Sequence, residues 1–148
     1  MPLTGDYAPP VSSFVRQQLE AADRHGYFRS LAGGAPIVIV TAQGKRSGLL
    51  RRIPVIRVED GAGRLLMVAS WGGAPQHPQW YHSVVANPDV SVQDEHGHRD
   101  MRARPLSGAE RQQWWERAVA AFPDYAEYQV RRPERPFPLL LLEPLPPD

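Results

Sequence analysis

Positive charge is concentrated in one short stretch of this chain, GKRSGLLRR, at residues 44 to 52. The stretch holds Lys45, Arg46, Arg51 and Arg52, although the formal net charge of all 148 residues is only +1. Backbone N–H groups at a glycine turn bind anions together with such side chains, and Ser47 adds a hydroxyl. The stretch predicts an anion site, with a solvated hairpin tip as the alternative. It is not a P-loop, because no G-x-x-x-x-G-K-[ST] motif occurs.

A second feature is typical of a site for a flat ring. The predicted strand that ends at Ser70 runs into the loop WGG at residues 71–73, where small residues let a planar ligand approach the backbone. The aromatic stretch HPQWYH follows at residues 77–82. Core packing is the alternative role for Trp80 and Tyr81. Together with the basic hairpin, these features predict a site for a planar ring that carries a phosphate tail.

The residue types that build other kinds of catalytic site do not occur in the required patterns. The chain has no cysteine, no G-x-S-x-G nucleophile elbow and no H-E-x-x-H zinc motif. His77 and His82 are five residues apart and do not share a helix face, so we expect no metal site. Chemistry carried by a bound organic cofactor fits this sequence better, because the protein then only positions the cofactor and tunes its charge.

The elements that must position these residues follow from hydrophobic periodicity. After Pro10, apolar residues recur at helical spacing as far as Ala22, and either Gly26 or the pair Gly33 and Gly34 ends the helix. Two strands, APIVIVTAQ and RRIPVIRVE, are joined by the turn GKRSG, whose two glycines permit positive φ. The turn DGAG leads to a third strand, RLLMVAS. A short helix, PQWYHSVVAN, precedes a hairpin made of DVSVQDE and HRDMRARPL.

The last third of the chain predicts a long helix and a buried strand. Ser107 and Glu110 form a capping box that opens the helix GAERQQWWERAVAAF, and PDYAEYQV continues as a helical turn or two. RPFPLLLLEP is the final strand. About six mostly antiparallel strands, an N-terminal helix and two further helices predict an α+β fold built on an antiparallel sheet. The strand pattern leaves open whether this sheet closes into a barrel, which would remove its exposed edges.

Composition bounds the organisation of the chain. With 42% hydrophobic and 22% charged residues, the chain is typical of one globular unit. We expect residues 1–34 to form a helical segment that packs on a barrel domain at 35–148. The pI of about 8.2 is too mild to indicate a nucleic-acid partner. The start lacks a signal-peptide pattern and no apolar run spans a bilayer, so we expect a cytoplasmic protein with at most peripheral membrane contact through its first helix.

Three motifs in combination resemble the deazaflavin-dependent nitroreductase family. They are TAQGKRSGLLRRIPV, LLMVASWGGAPQHPQWYHSVVANPDVSVQ and FPDYAEYQ, and the resemblance runs from about Ile37 to the final strand. It implies a split β-barrel of the FMN-binding type that uses the reduced 5-deazaflavin coenzyme F-420. It also implies that the G-K-R-S-G turn, with Arg51 and Pro54, holds the phosphate and glutamate tail of that coenzyme.

The resemblance implies a set of coenzyme contacts on the hairpin, the third strand, the short helix and the late tyrosines. They are Lys45, Arg46, Ser47, Gly48, Arg51, Arg52, Ile53, Pro54, Val55, Ile56, Val68, Ala69, Ser70, Trp71, Gln79, Trp80, Tyr81, His82, Ser83 and Tyr125. The chain departs from the family pattern at Trp71, Ser83, Leu50 and Phe122, where relatives commonly have lysine, asparagine, proline and, in one relative, tyrosine.

The chemistry that the resemblance implies is hydride transfer to an electron-poor acceptor, namely a quinone, an activated enone or a nitroaromatic. Ile56, Trp71, Tyr125 and Tyr128 would form the wall against that acceptor, and Ser70 or Tyr128 would donate a hydrogen bond to the oxygen that gains charge. FMN is the alternative cofactor, and a non-catalytic coenzyme carrier is the alternative function. We expect a monomer or a homodimer.

Overall fold

The N-terminal helix is defined by its two caps. A computed structural model describes residues 3–145, and its first helix, α1, spans Ser13–His25. The Ser12 hydroxyl accepts a hydrogen bond from the N–H of Val15 at 3.1 Å, and Gly26, the first of the two predicted ends, ends the helix with φ +61°. Leu19 and Ala22 pack α1 against the sheet. The predicted boundaries also include residues 1, 2 and 146–148, which lie outside the described residues.

Six strands form one antiparallel sheet, as the sequence predicts. They are β1 Ile37–Gln43, β2 Leu50–Ile56, β3 Leu65–Val68, β4 Asp89–Asp94, β5 Gly97–Pro105 and β6 Leu139–Pro144. Their order is β2-β1-β4-β5-β6-β3, and every neighbouring pair is antiparallel. β1 and β2 form the predicted hairpin, with Ile37 opposite Ile56 and Gln43 opposite Leu50.

The sheet curls into a half-barrel with an open seam. Its two end strands, β2 and β3, come from opposite ends of the strand order, and no ladder joins them within residues 3–145. Pro54 is tolerated in β2 because this is an edge strand, where the missing N–H costs no ladder bond. The interior is filled by inward-facing residues of all six strands, including Val40, Met67 and Leu140, each at most 1% exposed. The split barrel is therefore confirmed, and its seam is the opening.

The remaining helices lie near that opening. A 3-10 turn at Trp71–Gly73 follows β3, and three helices come later: α2 Gln79–Ala86, α3 Gly108–Ala121 and α4 Asp124–Arg131. The sequence analysis treats PDYAEYQV as a continuation of the preceding helix. In the structure it is a separate helix, because Phe122 takes an extended conformation with φ −146° and Pro123 restarts the helix.

Two local expectations are wrong. Ser107 is the N-cap of α3, but its side chain makes no capping hydrogen bond. Glu110 instead accepts two hydrogen bonds from Arg104, both at 2.8 Å, because β5 brings that guanidinium over the first turn of the helix. Of the two glycines in the cationic turn, only Gly48 has positive φ, at +72°. Gly44 is needed for space, since a Cβ there would lie 2.6 Å from the Ser47 hydroxyl oxygen.

Candidate functional site

A cavity of about 1180 Å³ opens at the seam, between β2 on one side and the end of β3 on the other. The start of α1, the helix α2, Phe122 and α4 complete its walls. Eighteen of the predicted site residues line it: Lys45, Arg46, Ser47, Arg51, Arg52, Ile53, Pro54, Val55, Ile56, Val68, Ser70, Trp71, Gln79, Trp80, His82, Ser83, Tyr125 and Tyr128. Residues from four separate parts of the sequence are thus brought to one concave surface.

Three predicted contacts do not line the cavity. Ala69 is fully buried, and its N–H donates to the carbonyl of Pro138. Tyr81 packs against the barrel core, with its ring 5.0 Å from that of His77. Gly48 lies on the outer side of the hairpin turn, where its positive φ lets the chain reverse. These residues shape the elements that carry the site.

The cationic turn forms one end of the cavity. Gly44 N–H donates to the carbonyl of Leu49 at 2.8 Å, which closes the turn, and Lys45 N–H donates to the Ser83 hydroxyl at 3.3 Å. The second bond ties the turn to α2 across the cavity mouth. The side chains of Lys45 and Arg46 are exposed, and the structure records no ion pair for either within residues 3–145. Among the described residues they are charges without a counter-ion, and both line the cavity.

The side chains of the two arginines on β2, unlike those of Lys45 and Arg46 in the turn, have partners among the described residues. Arg51 donates to the carbonyl of Pro9 at 2.9 Å, which fastens the N-terminal segment to β2. Arg52 donates to both carboxylate oxygens of Asp23, at 2.8 and 2.9 Å, and to Gln93. These hydrogen bonds hold the pKa of Asp23 below its ordinary value of 3.8. The guanidinium of Arg52 is therefore engaged with α1, and it is the least available of the four cations.

The part of the cavity between β2 and β3 has an apolar lining. Val55 and Ile56 line it from β2, and Val68 lines it from β3. Trp71 follows at the rim, 59% exposed, with a backbone φ of +46° that is unusual for any residue except glycine. Next to it, Gly73 lies so close to Tyr128 that an added Cβ would be 3.3 Å from the Tyr128 Cβ. This close approach places α4 directly over the WGG turn.

Two tyrosines form the far wall, and their environments differ. Tyr125 is 5% exposed and packs edge-on against Phe122, with 5.0 Å between ring centroids. Burial, with a smaller contribution from Tyr128, raises the pKa of Tyr125 well above its ordinary value of 10.0. Its phenol is therefore neutral at neutral pH, and it can donate or accept a hydrogen bond but carries no charge. Tyr128 is half-buried and borders the cavity with its ring 6.3 Å from Phe122.

The sequence analysis missed several residues of the site. Val11, just before α1, and Val15, within it, line the cavity, although their apolar spacing indicated only packing on the barrel. Ala42, Gly72 and Pro78 also line it. The largest omission is Arg135, a buried arginine behind the loop that carries Ser70 and Trp71. Its role depends on contacts with residues about 60 positions away, and no local sequence pattern announces such contacts.

Comparison with known proteins identifies the family. The sequence profile of the F420H(2)-dependent quinone reductase family matches residues 14–144. The chain belongs to that family. The match extends from the first helix into the last strand, so it includes every residue that lines the seam cavity except Val11. The predicted deazaflavin-dependent family is confirmed, and the profile description specifies a quinone reductase.

Curated relatives and solved structures agree with this assignment. Rv3178 of Mycobacterium tuberculosis (strain ATCC 25618 / H37Rv), grouped by name with the F420H(2)-dependent quinone reductases, is 31% identical over 74% of this chain and 90% of its own length. A solved "F420-H2 Dependent Reductase (FDR-A)" is 50% identical, with a TM-score of 0.68 over 73% of this chain and 94% of its own. Another, described as a domain-swapped dimer, is 45% identical, with a TM-score of 0.70 over 88% and 97%.

Neither a metal-binding cluster nor a membrane-spanning helix is found among the described residues. Within residues 3–145, no three His, Asp or Glu side chains lie together in a way that could hold a metal ion. No helix in that range is both long and apolar enough to cross a membrane.

Proposed function

We propose that this chain transfers a hydride from reduced coenzyme F-420 to a quinone, and that the reaction takes place in the seam cavity. The observation that carries the assignment to this site is the arrangement of its lining. Lys45 and Arg46, which form no ion pair within residues 3–145, line the cavity together with apolar side chains of β2 and β3 and with aromatic side chains. The family description supplies the reaction class.

The residues present fit the coenzyme. No Asp or Glu is among the described residues that line the cavity, whereas Lys45, Arg46, Arg51 and Arg52 are. A tail of phosphate and glutamate carboxylates matches this charge, and each charge-assisted hydrogen bond to it contributes about 1.5–3 kcal/mol. Val55, Ile56 and Val68 give the slot between β2 and β3 an apolar lining, which suits a planar ring. We assign the tail to the turn at residues 44–48 and the ring to this slot.

The protein's contribution is orientation and hydrogen bonding. The bound coenzyme supplies a hydride donor of low potential. Ile56, Trp71, Tyr125 and Tyr128 would hold the acceptor flat against the ring, which sets the distance for transfer and excludes water. Ser70 or Tyr128 would donate a hydrogen bond to the quinone oxygen on which negative charge develops. Tyr125 cannot serve as a base, because its raised pKa keeps the phenol protonated.

The preferred acceptor is a quinone. Aromatic side chains at the rim, with Trp71 in place of the lysine common in relatives, present a stacking surface rather than a charge. Such a wall suits an uncharged planar ring. Activated enones and nitroaromatics share its electron-poor character and are the alternative acceptors. Monomer and homodimer remain the two predicted oligomeric states. Because one similar solved structure is described as a domain-swapped dimer, the oligomeric state should be measured by light scattering.

The proposal is tested by titration and by turnover. Purified protein is titrated with oxidised coenzyme F-420 and, separately, with FMN. Nanomolar-to-micromolar binding of the deazaflavin without FMN binding is the expected result, and the reverse would establish the flavin alternative. Oxidation of the reduced coenzyme is then followed with menadione, cyclohexenone and a nitroaromatic. Tight coenzyme binding without oxidation by any acceptor would show a carrier instead of an enzyme.

A further inference from the structure

Arg135 is a buried cation without an acidic partner. It is 7% exposed, and the structure records no ion pair for it within residues 3–145. Its guanidinium donates to three carbonyls of one loop: Ala69 at 3.0 Å, Ser70 at 2.6 Å and Ala74 at 2.9 Å. A fourth contact, at 2.7 Å, is to Nδ1 of His77. Burying an arginine is unfavourable unless its donors are used, and here all four of these contacts go to residues 69–77.

The segment that carries Arg135 is itself held in place. Gln129 donates to the carbonyls of Arg132 and Arg135, at 2.9 and 3.0 Å, and accepts from the N–H of Phe137. Arg132 adds one more bond to the loop, from Nε to the carbonyl of Gly73 at 3.0 Å. The guanidinium of Arg135 also lies 4.7 Å from the centre of the Phe137 ring. The segment after α4 thus forms a rigid backing for the loop.

The loop needs such a backing because its backbone is unusual. Trp71, Gly72 and Gly73 have successive φ values of +46°, +59° and +81°. Glycine adopts this region freely, but an L-residue such as tryptophan does so only when its surroundings enforce it. Arg135 donates to the carbonyl of Ser70, just before this segment, and Arg132 donates to the carbonyl of Gly73, at its end.

The bonds to Arg135 also fix the direction of the loop's N–H groups. All described peptide bonds are trans, and in a trans peptide the C=O and the N–H point in opposite directions. Since the carbonyl of Ser70 points to Arg135, the N–H of Trp71 points away from it. Ser70 and Trp71 both border the seam cavity. Arg135 therefore determines which atoms of this loop are presented to a ligand.

We propose that Arg135 is a positioning residue for hydride transfer: it holds residues 69–74 so that Ser70 and Trp71 meet the coenzyme ring and the acceptor in a fixed orientation. The proposal rests on the proposed function for its readout in turnover, but its structural content is independent. A purely structural role would make Arg135 a determinant of fold stability alone, with no separate effect on the loop.

The test compares Arg135→Lys with Arg131→Lys. Lysine keeps the charge but cannot span three carbonyls, and Arg131 is an exposed neighbour that serves as the matched control. In the protein without coenzyme, we expect amide hydrogens in peptides covering 69–77 to exchange at least about tenfold faster in Arg135→Lys, with the barrel strands unchanged. In the wild type, oxidised coenzyme F-420 should protect these amides, and in Arg135→Lys it should not.

Turnover separates positioning from binding. We expect kcat with menadione to fall about tenfold or more in Arg135→Lys, while the Kd of the coenzyme changes less than about threefold, because the cationic turn is untouched. Unchanged loop exchange would overturn the proposal, as would faster exchange with normal kcat. A fall in stability that accounts for the whole loss of activity would also overturn it.

A second variant and a wild-type control complete the design. If Arg135→Lys does not fold, Arg132→Lys disturbs the same loop at Gly73 through a half-exposed side chain, and we expect loop exchange and kcat to change in the same directions by about threefold. A normal result there would overturn the proposal. If the wild type oxidises no reduced coenzyme with any acceptor, the proposed function is refuted. The role of Arg135 is then still tested by whether the coenzyme protects the amides of residues 69–77 in the wild type and not in Arg135→Lys.

Discussion

At the scale of single residues, the two tyrosines of the far wall have different capacities. Tyr125 is buried, and its raised pKa leaves it a neutral donor. Tyr128 is half-buried at the cavity wall, and its backbone packs on Gly73. Of the two, Tyr128 is the better placed to reach an acceptor that enters from solvent. Sequence analysis selected Tyr128 and Ser70 from the family resemblance alone.

Replacing Tyr128 by phenylalanine tests its role as donor. We expect kcat with menadione to fall about tenfold, because a hydrogen bond to developing negative charge is lost while the ring wall remains. The Kd of the coenzyme should stay within about twofold. Steady-state kinetics and fluorescence titration measure both, and Tyr27→Phe, at an exposed tyrosine outside the cavity, is the control. Normal turnover in Tyr128→Phe would assign the hydrogen bond to Ser70 or to water.

The residues that sequence reasoning found and missed differ in where their partners lie. Lys45 and Arg46 were found because the signal is local: unusual charge between two glycines. Arg135 was missed because its partners, residues 69 to 77, are distant in sequence and contribute backbone carbonyls, which no pattern of side chains encodes. The carboxylate of Glu110 was misassigned for the same reason, since Arg104 reaches it from a strand.

At the scale of elements, the loop at residues 69–77 combines strain with a titratable anchor. Nδ1 of His77 lies 2.7 Å from Nη1 of Arg135 and accepts its hydrogen bond only when the imidazole is neutral at that nitrogen. Burial first, and then the charges of Arg135 and His82, lower the pKa of His77 below its ordinary value of 6.5. A protonated His77 would face the guanidinium with like charge.

This arrangement predicts acid sensitivity of the loop. The folded pKa is depressed, so the contribution of His77 is complete above pH 6.5 and is lost as pH falls from 6.5 through the folded pKa. One proton changes stability by at most about 1.4 kcal/mol per pH unit. We expect faster amide exchange in 69–77 at pH 5 than at pH 7 after correction for intrinsic rates. His77→Gln should reduce this pH dependence, whereas His96→Gln, at an exposed histidine, should preserve it. Equal pH dependence in both variants would contradict the account.

Elements with local signals were predicted well. The hairpin of β1 and β2 follows from β-branched runs around a glycine turn, and the structure pairs Val40 with Ile53 in it. The first helix follows from its apolar spacing and its glycine cap. The break between α3 and α4 was not predicted, because Phe122 fits an apolar helical stripe and only its extended backbone ends the helix.

At the scale of the whole molecule, the seam is the feature that creates the site. Sequence patterns predict six strands, but strand order depends on which edges meet in space. The order β2-β1-β4-β5-β6-β3 leaves no ladder between β2 and β3 within residues 3–145, and the cavity proposed to hold the coenzyme ring lies there. The family resemblance supplied the split barrel, while periodicity alone left the closure open.

The wall on the β3 side depends on β6, which holds β3 in the sheet. Leu140 of β6 is 1% exposed and pairs with Met67 of β3. We expect Leu140→Ala to lower the free energy of unfolding by about 2–5 kcal/mol, because it leaves a cavity in the core. Val130→Ala, at a side chain 78% exposed, should change it by less than about 0.5 kcal/mol. Urea denaturation measures both, and a loss below about 1 kcal/mol for Leu140→Ala would contradict the packing described.

The central claim is that the cationic turn holds the acidic tail of the coenzyme. The most direct measurement compares the dissociation constants of two ligands, intact coenzyme F-420 and a deazaflavin that lacks the phosphate and glutamate tail. Each ligand is titrated into the wild type, into the double variant Lys45→Ala/Arg46→Ala and into the control Arg24→Ala. We expect the double substitution to weaken binding of the intact coenzyme at least about tenfold and binding of the tail-free deazaflavin less than about threefold. Equal weakening of both ligands, or of neither, would contradict it.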